Sequence, residues 1–212
     1  GAYSVNFTNT NGLPDERHMI AAVDLALLTA TAMENDFFAA TVASKYAALG
    51  ENGNYRRFRN TNKLLWQDEH IIGVKTGTTD AAGPCLAAAY QNGAARYISV
   101  VFNSPDRYGE SYALLRYAED NYILVLAARE DQPLACAQGK LLYAASELSV
   151  FISRDEAERL SLEWTIDAEQ GRGSLTLLLD GRALAKTELL PLDHRTKRFL
   201  SLGSENNNDS MI

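Results

Sequence analysis

The stretch Gly73-Val74-Lys75-Thr76-Gly77-Thr78-Thr79 decides how this sequence is interpreted. Residues 70–79 are typical of a strand that leads into a turn, and two apolar runs follow it, residues 83–91 and 95–103. The dipeptide Asn92-Gly93 lies between those runs. Asn-Gly flanked by apolar residues is the strongest short-range signal for a β-hairpin. We therefore predict three consecutive antiparallel strands, with Lys-Thr-Gly on the first of them.

The Lys-Thr-Gly segment offers the groups that would bind a substrate ending in a carboxylate. Lys75 supplies a cation on a rigid strand, and Thr76 and Thr78 supply hydroxyl groups. Gly77 lets a substrate backbone approach closely because it has no Cβ. A strand edge can also pair with an extended peptide, and the backbone N–H of Thr78 can help to stabilise an oxyanion. The alternative is a solvated turn between strands, and on these three residues alone the solvated turn is favoured.

Helical periodicity flanks the predicted strands on both sides. Before them, apolar residues recur at helical spacing over residues 20–28 and again from Asp36 to Leu49, where Gly50 is a natural stop. After them, residues 107–128 are predicted to form a helix with Leu115 on its apolar face.

From about residue 133 the pattern becomes all-β. Short apolar or alternating runs predict strands at residues 141–145, 148–152, 160–166 and 175–179. Asp180-Gly181 predicts a second hairpin turn. We therefore predict a first domain over residues 1–132, a small β-sandwich over residues 133–200 and a disordered tail over residues 201–212, with the domain boundary near Gln132-Pro133.

Composition excludes several classes of protein. The net charge is −7 and the pI about 5.0, which argues against binding of duplex nucleic acid. No apolar run approaches the roughly 20 residues of a membrane-spanning helix, and Gly1 to Ser4 do not resemble a signal peptide. Cys85 and Cys136 show no CxxC spacing and the three His are scattered, so no metal or organic cofactor is implied. We expect two buried thiols, and the sequence leaves open whether they form a disulfide.

A wider set of residues recurs in the order and spacing of a known family over residues 7–120. The set comprises Phe7, Asn9, Gly12, Leu13, His18, the Ala22-to-Leu28 helix with Asp24, Asn60-Thr61-Asn62-Lys63-Leu64-Leu65, the block from Gly73 to Leu86, the strand from Tyr97 to Phe102, Arg107 and Leu114-Leu115. On these residues the chain resembles the D-alanyl-D-alanine carboxypeptidases, the low-molecular-weight penicillin-binding proteins, and the β-rich end resembles their carboxy-terminal domain more loosely.

The resemblance implies an α+β fold. A partial DD-peptidase/β-lactamase-like domain of three antiparallel strands plus helices would be followed by a small all-β sandwich domain. In this family the site lies between a five-stranded antiparallel sheet and a helical cluster. The first two strands and the helix of the nucleophile come from the amino-terminal half. One sheet edge of the present chain would then be unpaired, and a long unpaired edge favours association.

The family carries its chemistry on three motifs, and only the third is present here. Ser-x-x-Lys supplies the acylated serine and its base, Ser-x-Asn assists proton transfer, and Lys-Thr-Gly completes the site. No serine of the chain has a lysine three positions later. Ser4-Val5-Asn6 and Ser204-Glu205-Asn206 fit Ser-x-Asn formally, and we interpret both as coincidence. The resemblance thus implies a serine-type carboxypeptidase that acts through an acyl-enzyme, with the isolated chain inactive.

The resemblance also assigns roles to individual residues. Lys75 would orient the substrate or the serine, and Thr76 and Thr78 would hold the terminal carboxylate and the oxyanion. Arg107 corresponds to an arginine near the family's site; the alternative is a solvated arginine at the start of a helix. Three positions are expected to be structural: the segment Asn60 to Asn62 in loop structure, Asp24 in helix packing or capping, and His18 in loop hydrogen bonds.

The partners implied are a peptidoglycan stem peptide ending in D-Ala-D-Ala and, if the nucleophile is supplied, β-lactams, all outside the cytoplasm; no nucleic acid is implied. We also expect self-association or complementation by the missing amino-terminal segment. Two other functions remain open. One is a non-catalytic relative that binds peptidoglycan peptides. The other is a β-lactamase, against which the β-rich domain argues.

Overall fold

The computed structural model describes residues 4–51, 54–130 and 132–191. The chain divides into two compact units, Gly1–Asn121 and Tyr122–Ile212. This division falls earlier than the domain boundary that we predicted near Gln132-Pro133, because residues 122–128 form a strand that pairs within the second unit. The predicted tail, residues 201–212, lies outside the described residues.

Three α-helices, two 3₁₀ helices and fourteen strands are present in the described part of the chain. The α-helices are α1 (Ala22–Ala32), α2 (Asp36–Ala43) and α3 (Arg107–Asn121), and the 3₁₀ helices are η1 (Lys63–Trp66) and η2 (Ala157–Arg159). The strands of the first unit are β1 (Val5–Asn6), β2 (Met19–Ile20), β3 (Tyr46–Glu51), β4 (Asn54–Arg59), β5 (Ile71–Thr79), β6 (Gly83–Asn92) and β7 (Ala95–Val101). Those of the second unit are β8 (Tyr122–Ala128), β9 (Pro133–Ala137), β10 (Lys140–Ala144), β11 (Leu148–Ser153), β12 (Leu160–Asp167), β13 (Arg172–Leu179) and β14 (Arg182–Pro191).

The predicted three-stranded antiparallel sheet is confirmed. Its strand order is β5-β6-β7, and Gly77 lies opposite Cys85 while Asn92 lies opposite Ala95. Gly93 turns the chain between β6 and β7 with a φ of 59°, a conformation that a residue with a Cβ adopts only at a cost. The Asn-Gly signal therefore located this hairpin correctly.

The sheet of the first unit carries helices on both faces. On one face, which we call the α3 face, Leu86, Ala88 and Tyr90 of β6 pack with Leu115 of α3, and η1 adds Leu64 and Leu65. On the other, the α1–α2 face, Ala89 packs with residues from the two helices and their connection, Met33, Phe38, Ala39 and Val42. Alternate residues of β6 thus point to opposite faces, as the period of two of a strand requires.

The second unit is all-β, as predicted. A five-stranded sheet of order β12-β13-β14-β10-β9 and a two-stranded sheet of β11 and β8 share one core of buried residues, Ala128, Ala137, Leu142, Ala144, Leu148, Leu175, Leu177 and Leu189. Asp180 and Gly181 both have positive φ, 50° and 80°, between β13 and β14, so the second predicted hairpin turn is also present.

Two predicted helices are shorter than expected. The segment from Asp36 to Leu49 is helical only to Ala43, and its second half forms β3, which pairs with β4. The segment 107–128 is helical to Asn121, and Tyr122–Ala128 forms β8, which pairs with β11. In both places strand pairing with a later segment overrides a helical pattern, because periodicity reports only local preference.

The cysteines were also predicted incorrectly. Cys85 is only partly buried and Cys136 is exposed, so they are not two buried thiols. Neither forms a disulfide, and they lie in different units. No helix among the described residues is both long enough and apolar enough to span a membrane.

Candidate active site

The Lys-Thr-Gly segment lies on β5, an edge strand of the three-stranded sheet. Lys75, Gly77 and Thr78 are exposed, whereas Thr76 is buried. The space beside Gly77 is empty, since a Cβ placed there would meet no atom within 4 Å. An extended ligand can therefore approach the backbone at this position, as the sequence argument requires.

Arg107 begins α3 and lies against the end of β5. Its Nη1 donates to the carbonyl oxygen of Gly77 at 2.8 Å, to the hydroxyl of Thr78 at 3.0 Å and to the carbonyl oxygen of Cys85 at 3.2 Å. The guanidinium thus bridges β5 and β6 and is not simply solvated at a helix start. The fold brings the second cation of the predicted site to the Lys-Thr-Gly strand.

A series of hydrogen-bonded hydroxyl groups links β5 to the loop before η1 and to α3. Thr76 Oγ1 lies 2.6 Å from Thr61 Oγ1, and Tyr108 donates from its hydroxyl to the carbonyl oxygen of Thr61 at 3.0 Å. The Arg107 Nη2 lies 3.4 Å from the Tyr108 hydroxyl, and its guanidinium carbon lies 5.1 Å from the centre of the Tyr108 ring. The Thr76 hydroxyl is buried and paired with Thr61, whereas Thr78 is exposed and its hydroxyl donates to the carbonyl oxygen of Gly77 at 2.8 Å.

A cleft of about 900 Å³ runs along β5 and contains all five predicted site residues. Lys75, Thr76, Gly77, Thr78 and Arg107 provide its polar side. Its apolar side is formed by the aliphatic and aromatic residues Leu25, Leu28, Ala32, Phe38, Val42, Val74, Leu86 and Phe102. A concave apolar site with a few convergent polar groups is the usual form of a ligand site.

The charge of the cleft is positive. Lys75 Nζ donates to the carbonyl oxygen of Thr76, and neither Lys75 nor Arg107 forms an ion pair within the described residues. The two cations are therefore available to an anionic ligand group. No cluster of three or more His, Cys, Asp or Glu side chains that could hold a metal is found in residues 4–51, 54–130 and 132–191.

Asn62, Asp24 and His18, which were expected to be structural, form hydrogen bonds within the fold and do not line the cleft. Asn62 is fully buried; its amide donates to the carbonyl oxygen of Gly73 at 2.8 Å and its Oδ1 accepts from the backbone of Leu64 at 3.2 Å. Asp24 is also buried, and it accepts from the backbone N–H of Ser4 at 2.6 Å. His18 Nδ1 lies 3.2 Å from both the backbone nitrogen and the hydroxyl of Thr8. The loop hydrogen bonds of Asn62 and His18 agree with these expectations; Asp24 is buried on α1, as packing requires, but its side chain does not cap the helix.

Several cleft residues were not identified from sequence. Phe7, Asn11 and Gly12 line the cleft from the loop before α1, and Thr61 lines it from the loop before η1. Asn9 organises the first loop by accepting from the backbone of Gly12 at 2.8 Å. Phe7, Gly12 and Thr61 stand within the stretches that carry the family resemblance, so that resemblance was the available signal for them.

Comparison with known proteins supports the assignment of the fold. Penicillin-binding protein 5 from Haemophilus influenzae matches with a TM-score of 0.69 at 22% identity over 90% of this chain and 61% of that one. Penicillin-binding protein 6B from Escherichia coli matches with a TM-score of 0.58 at 25% identity over 84% of this chain and 50% of that one. The fold is therefore the α+β fold of the DD-peptidases.

The sequence comparisons define the family. Residues 1–106 match the D-alanyl-D-alanine carboxypeptidase family. D-alanyl-D-alanine carboxypeptidase DacF of Bacillus subtilis (strain 168) is 26% identical over 88% of this chain, and DacC of Escherichia coli (strain K12) is 27% identical over 92%. The chain belongs to the D-alanyl-D-alanine carboxypeptidase family. It spans about half the length of these relatives, 53% of each.

Proposed function

We propose that this chain forms the Lys-Thr-Gly side of a serine-type D-Ala-D-Ala carboxypeptidase that acts on peptidoglycan stem peptides outside the cytoplasm. The observation that carries the proposal is the cationic wall of the cleft. Lys75 and Arg107 both line it, and Arg107 contacts the Gly77 carbonyl and the Thr78 hydroxyl. A peptide that ends in a free carboxylate is the ligand that this pair of cations suits.

The geometry supports separate roles for the site residues. Lys75 and the exposed hydroxyl of Thr78 lie where a terminal carboxylate would enter along β5. Arg107 holds Gly77 and Thr78 in place and adds a second positive charge. Thr76 faces Thr61, so it stabilises the strand more than it contacts ligand.

The reaction requires a nucleophile that these residues do not supply. In the proposed reaction a serine oxygen attacks the carbonyl carbon of the penultimate D-alanine, and the bond to the terminal D-alanine breaks as its nitrogen takes up a proton. Water then cleaves the ester of the acyl-enzyme and regenerates the serine. Since no serine of the chain is followed by lysine at the third position, we expect the isolated chain to be inactive.

The apolar side of the cleft is where we propose that a serine-bearing segment packs. Leu25 and Leu28 of α1 and Phe38 of α2 line a space that ligand carboxylates would not fill. On α1, Val23 and Leu27 are exposed as well, and Phe37 of α2 is 82% exposed. Apolar surface of this extent is typical of an interface. Complementation by an amino-terminal segment, or association of two chains, would cover it.

The alternative is a relative that binds peptidoglycan peptides without cleaving them. In such a binding protein, Lys75 and Arg107 would bind the terminal carboxylate of the peptide in the same way. The natural reading frame distinguishes the two, because only an enzyme needs an upstream Ser-x-x-Lys.

Intact-mass spectrometry after incubation with benzylpenicillin tests the proposal. The isolated chain should show no mass shift, and a protein that joins it to an upstream Ser-x-x-Lys segment should gain one penicilloyl group. Lys75→Ala in the longer protein should slow acylation roughly a hundredfold, the scale of losing one preorganised donor. Lys186→Ala, an exposed lysine of β14, is the matched control and should acylate at the normal rate.

Two results would count against the enzyme proposal. An adduct on the isolated chain would show that one of its own serines is the nucleophile. A reading frame without an upstream Ser-x-x-Lys, combined with millimolar or tighter binding of a D-Ala-D-Ala peptide, would favour the non-catalytic alternative.

A further inference from the structure

The outer strand β12 of the second unit offers an edge for pairing. It lies at one end of the five-stranded sheet, and β13 is the only described strand that pairs with it. The pairing runs without a bulge from Leu160 opposite Leu179 to Asp167 opposite Arg172. Residues 161–166 are all exposed. Within the described part of the chain, the backbone N–H and C=O groups on the outer side of β12 therefore have no strand partner.

The strand at the other end of this sheet, β9, is built differently. It has five residues against the eight of β12, and it begins with Pro133, which has no N–H to donate. Its pairing with β10 is irregular between Leu142 and Tyr143. A short strand, a proline and a bulge each discourage a further strand from pairing at an edge. β12 contains no Pro, Gly, Lys or Arg and pairs without a bulge, so these protective features are absent from it.

An apolar row runs along β12. Leu162, Trp164 and Ile166 alternate along the strand and so lie on one face of the sheet. Leu162 lies opposite Leu177 and Trp164 opposite Leu175, and both β13 residues belong to the buried core. The row therefore continues the core face of the sheet as far as its edge, yet its three side chains remain 43%, 45% and 41% exposed. A strand added at this edge with apolar residues on the same face would cover them further.

A second copy of β12 supplies such a strand. An antiparallel pair of two copies, related by a two-fold axis at Trp164, brings the two Trp164 side chains opposite each other. Leu162 of each copy then lies opposite Ile166 of the other, so the two apolar rows meet. Directly opposite residues of an antiparallel pair share a face, and aromatic and aliphatic pairs across strands are stabilising. The apolar pattern of β12 is therefore self-complementary, which is what a two-fold interface requires.

The charges on the other face of β12 select this register. With the axis at Trp164, Glu163 lies opposite Thr165 of the other copy. Asp167 lies opposite Ser161, so no two carboxylates are directly opposed. An axis at Glu163 would oppose the two Glu163 carboxylates, and an axis at Thr165 would oppose Glu163 and Asp167. Like charges directly opposite each other across two strands are destabilising, so both neighbouring registers are disfavoured.

We propose that two copies of this chain associate through β12 in this register, which joins their five-stranded sheets into one continuous sheet. The surface belongs wholly to the second unit and none of residues 160–167 lines the cleft, so the inference goes beyond the proposed carboxypeptidase function and does not depend on it. One pair of eight-residue strands makes a small interface, which is typical of weak dimers. Two chains that each carry a net charge of −7 also repel each other, so higher salt favours the dimer.

Sedimentation equilibrium of the chain in a Val23→Ser background tests the proposal, because that change weakens association through the exposed apolar surface of α1. The chain should dimerise. Trp164→Lys places two ammonium groups opposite each other at the axis and should raise the dissociation constant of the dimer at least about tenfold. Leu141→Lys introduces the same charge at another apolar residue of this sheet, 53% exposed on β10, and should leave the constant within about twofold.

Two substitutions at Thr165 test the register and leave the apolar row intact. Thr165→Lys places a lysine opposite Glu163 of the other copy at two symmetry-related positions and should tighten the dimer about fivefold. Thr165→Glu places a carboxylate there and should weaken the dimer about fivefold. Thr165 is exposed, so neither change should disturb the fold, which circular dichroism checks. A general effect of net charge would instead make Leu141→Lys tighten the dimer as much as Thr165→Lys.

Three results would overturn the proposal. The first is a chain that remains monomeric at millimolar concentration and high salt. The second is an equal effect of Trp164→Lys and Leu141→Lys, or of the two Thr165 variants. The third concerns residues 192–212: if a chain that ends at Pro191 dimerises and the whole chain does not, that segment covers β12 instead. Penicillin acylation of the longer, serine-bearing protein should be the same with and without Thr165→Lys, so failure of this proposal is distinguishable from failure of the proposed function.

Discussion

The two faces of the three-stranded sheet differ in how completely they are covered. On the α3 face, Leu64, Leu86, Tyr90 and Leu115 are almost fully buried. On the α1–α2 face only Met33, Val74 and Ala89 form a buried cluster, and a cleft of about 900 Å³ lies beside it. The same strands thus form a complete core on one side and line an open cleft on the other.

The polar groups of the two faces differ in the same way. At the α3 face, Asp68 accepts from the Tyr112 hydroxyl at 2.8 Å, and Glu119 accepts from the hydroxyl of Tyr90 at 2.9 Å and the amide of Asn92 at 2.8 Å. These carboxylates are used within the fold. The cations of the cleft, in contrast, have no carboxylate partner within the described residues. Charged side chains are thus paired within the fold on one face, and on the other they remain available to the proposed ligand.

The largest expected difference between the two faces is in the loss of folding stability when a leucine is truncated to alanine. Leu115→Ala should lower the free energy of unfolding by roughly 3 kcal/mol, because its side chain is 1% exposed, whereas Leu27→Ala on α1, 49% exposed, should cost less than about 1 kcal/mol. Urea unfolding in a Trp164→Phe background measures this, since Trp66 is then the remaining tryptophan and reports on the first unit. Leu114→Ala, half exposed on α3, controls for helix propensity. Equal losses in the free energy of unfolding for Leu115→Ala and Leu27→Ala would contradict the difference between the two faces.

Removal of a carboxylate from the α3 face should have the next largest effect. Asp68→Asn should cost roughly 2 kcal/mol at neutral pH, the range for hydrogen bonds to a charged group. The backbone N–H of His70 and the Tyr112 hydroxyl hold the pKa of Asp68 below its ordinary 3.8, although burial opposes them. The stabilisation is therefore complete above pH about 4 and is lost as the pH falls through the lower pKa of the folded state.

Urea unfolding at pH 7 and at pH 3 checks the sign of this effect. The unchanged chain should lose more stability between the two pH values than Asp68→Asn does. Asp80→Asn, at an exposed turn residue, should behave as the unchanged chain. An acid loss that is the same in the Asp68 variant would show that other groups cause it. Burial would raise the pKa of Glu119, but Asn92, Tyr90 and Arg116 together hold it below 4.5, so Glu119 contributes with the same sign.

A smaller loss of stability is expected from removal of the Tyr108 hydroxyl at the start of α3. Tyr108→Phe removes only the hydroxyl that donates to Thr61, and it should cost about 1 kcal/mol. Thermal unfolding measures the loss, and Tyr117→Phe, at an exposed position of the same helix, is the control. If the two variants unfold alike, the Tyr108 hydroxyl does not tie α3 to the loop before η1.

The smallest change in stability is expected on the exposed surface of α1. Val23→Ser should change the free energy of unfolding by less than about 0.5 kcal/mol, because the side chain is exposed. The same variant should reduce the binding of an apolar dye and shift sedimentation towards the monomer, if this surface is the one that associates. An unchanged sedimentation profile would place any association elsewhere.

The sequence predicted those features that depend on neighbouring residues and missed those that depend on residues far apart in the chain. The turns at Gly93 and at Asp180-Gly181 were located correctly because a positive φ is a local requirement. The β3–β4 hairpin was missed although Asn52-Gly53 separates its strands, because the preceding helical pattern was extended past Ala43. β8 was missed because its partner β11 is distant in sequence.

The features of the candidate site fall into the same two groups. By itself the sequence determined the Lys-Thr-Gly strand, the three-stranded sheet and the absence of a Ser-x-x-Lys serine, since each is a local pattern of residue types. Only the tertiary structure decided that Arg107 lies on Gly77 and Thr78, that the Thr76 hydroxyl pairs with Thr61, and that one sheet face is only partly covered. Contacts between residues fifteen to thirty positions apart depend on how whole elements pack, and periodicity along the chain does not encode that packing.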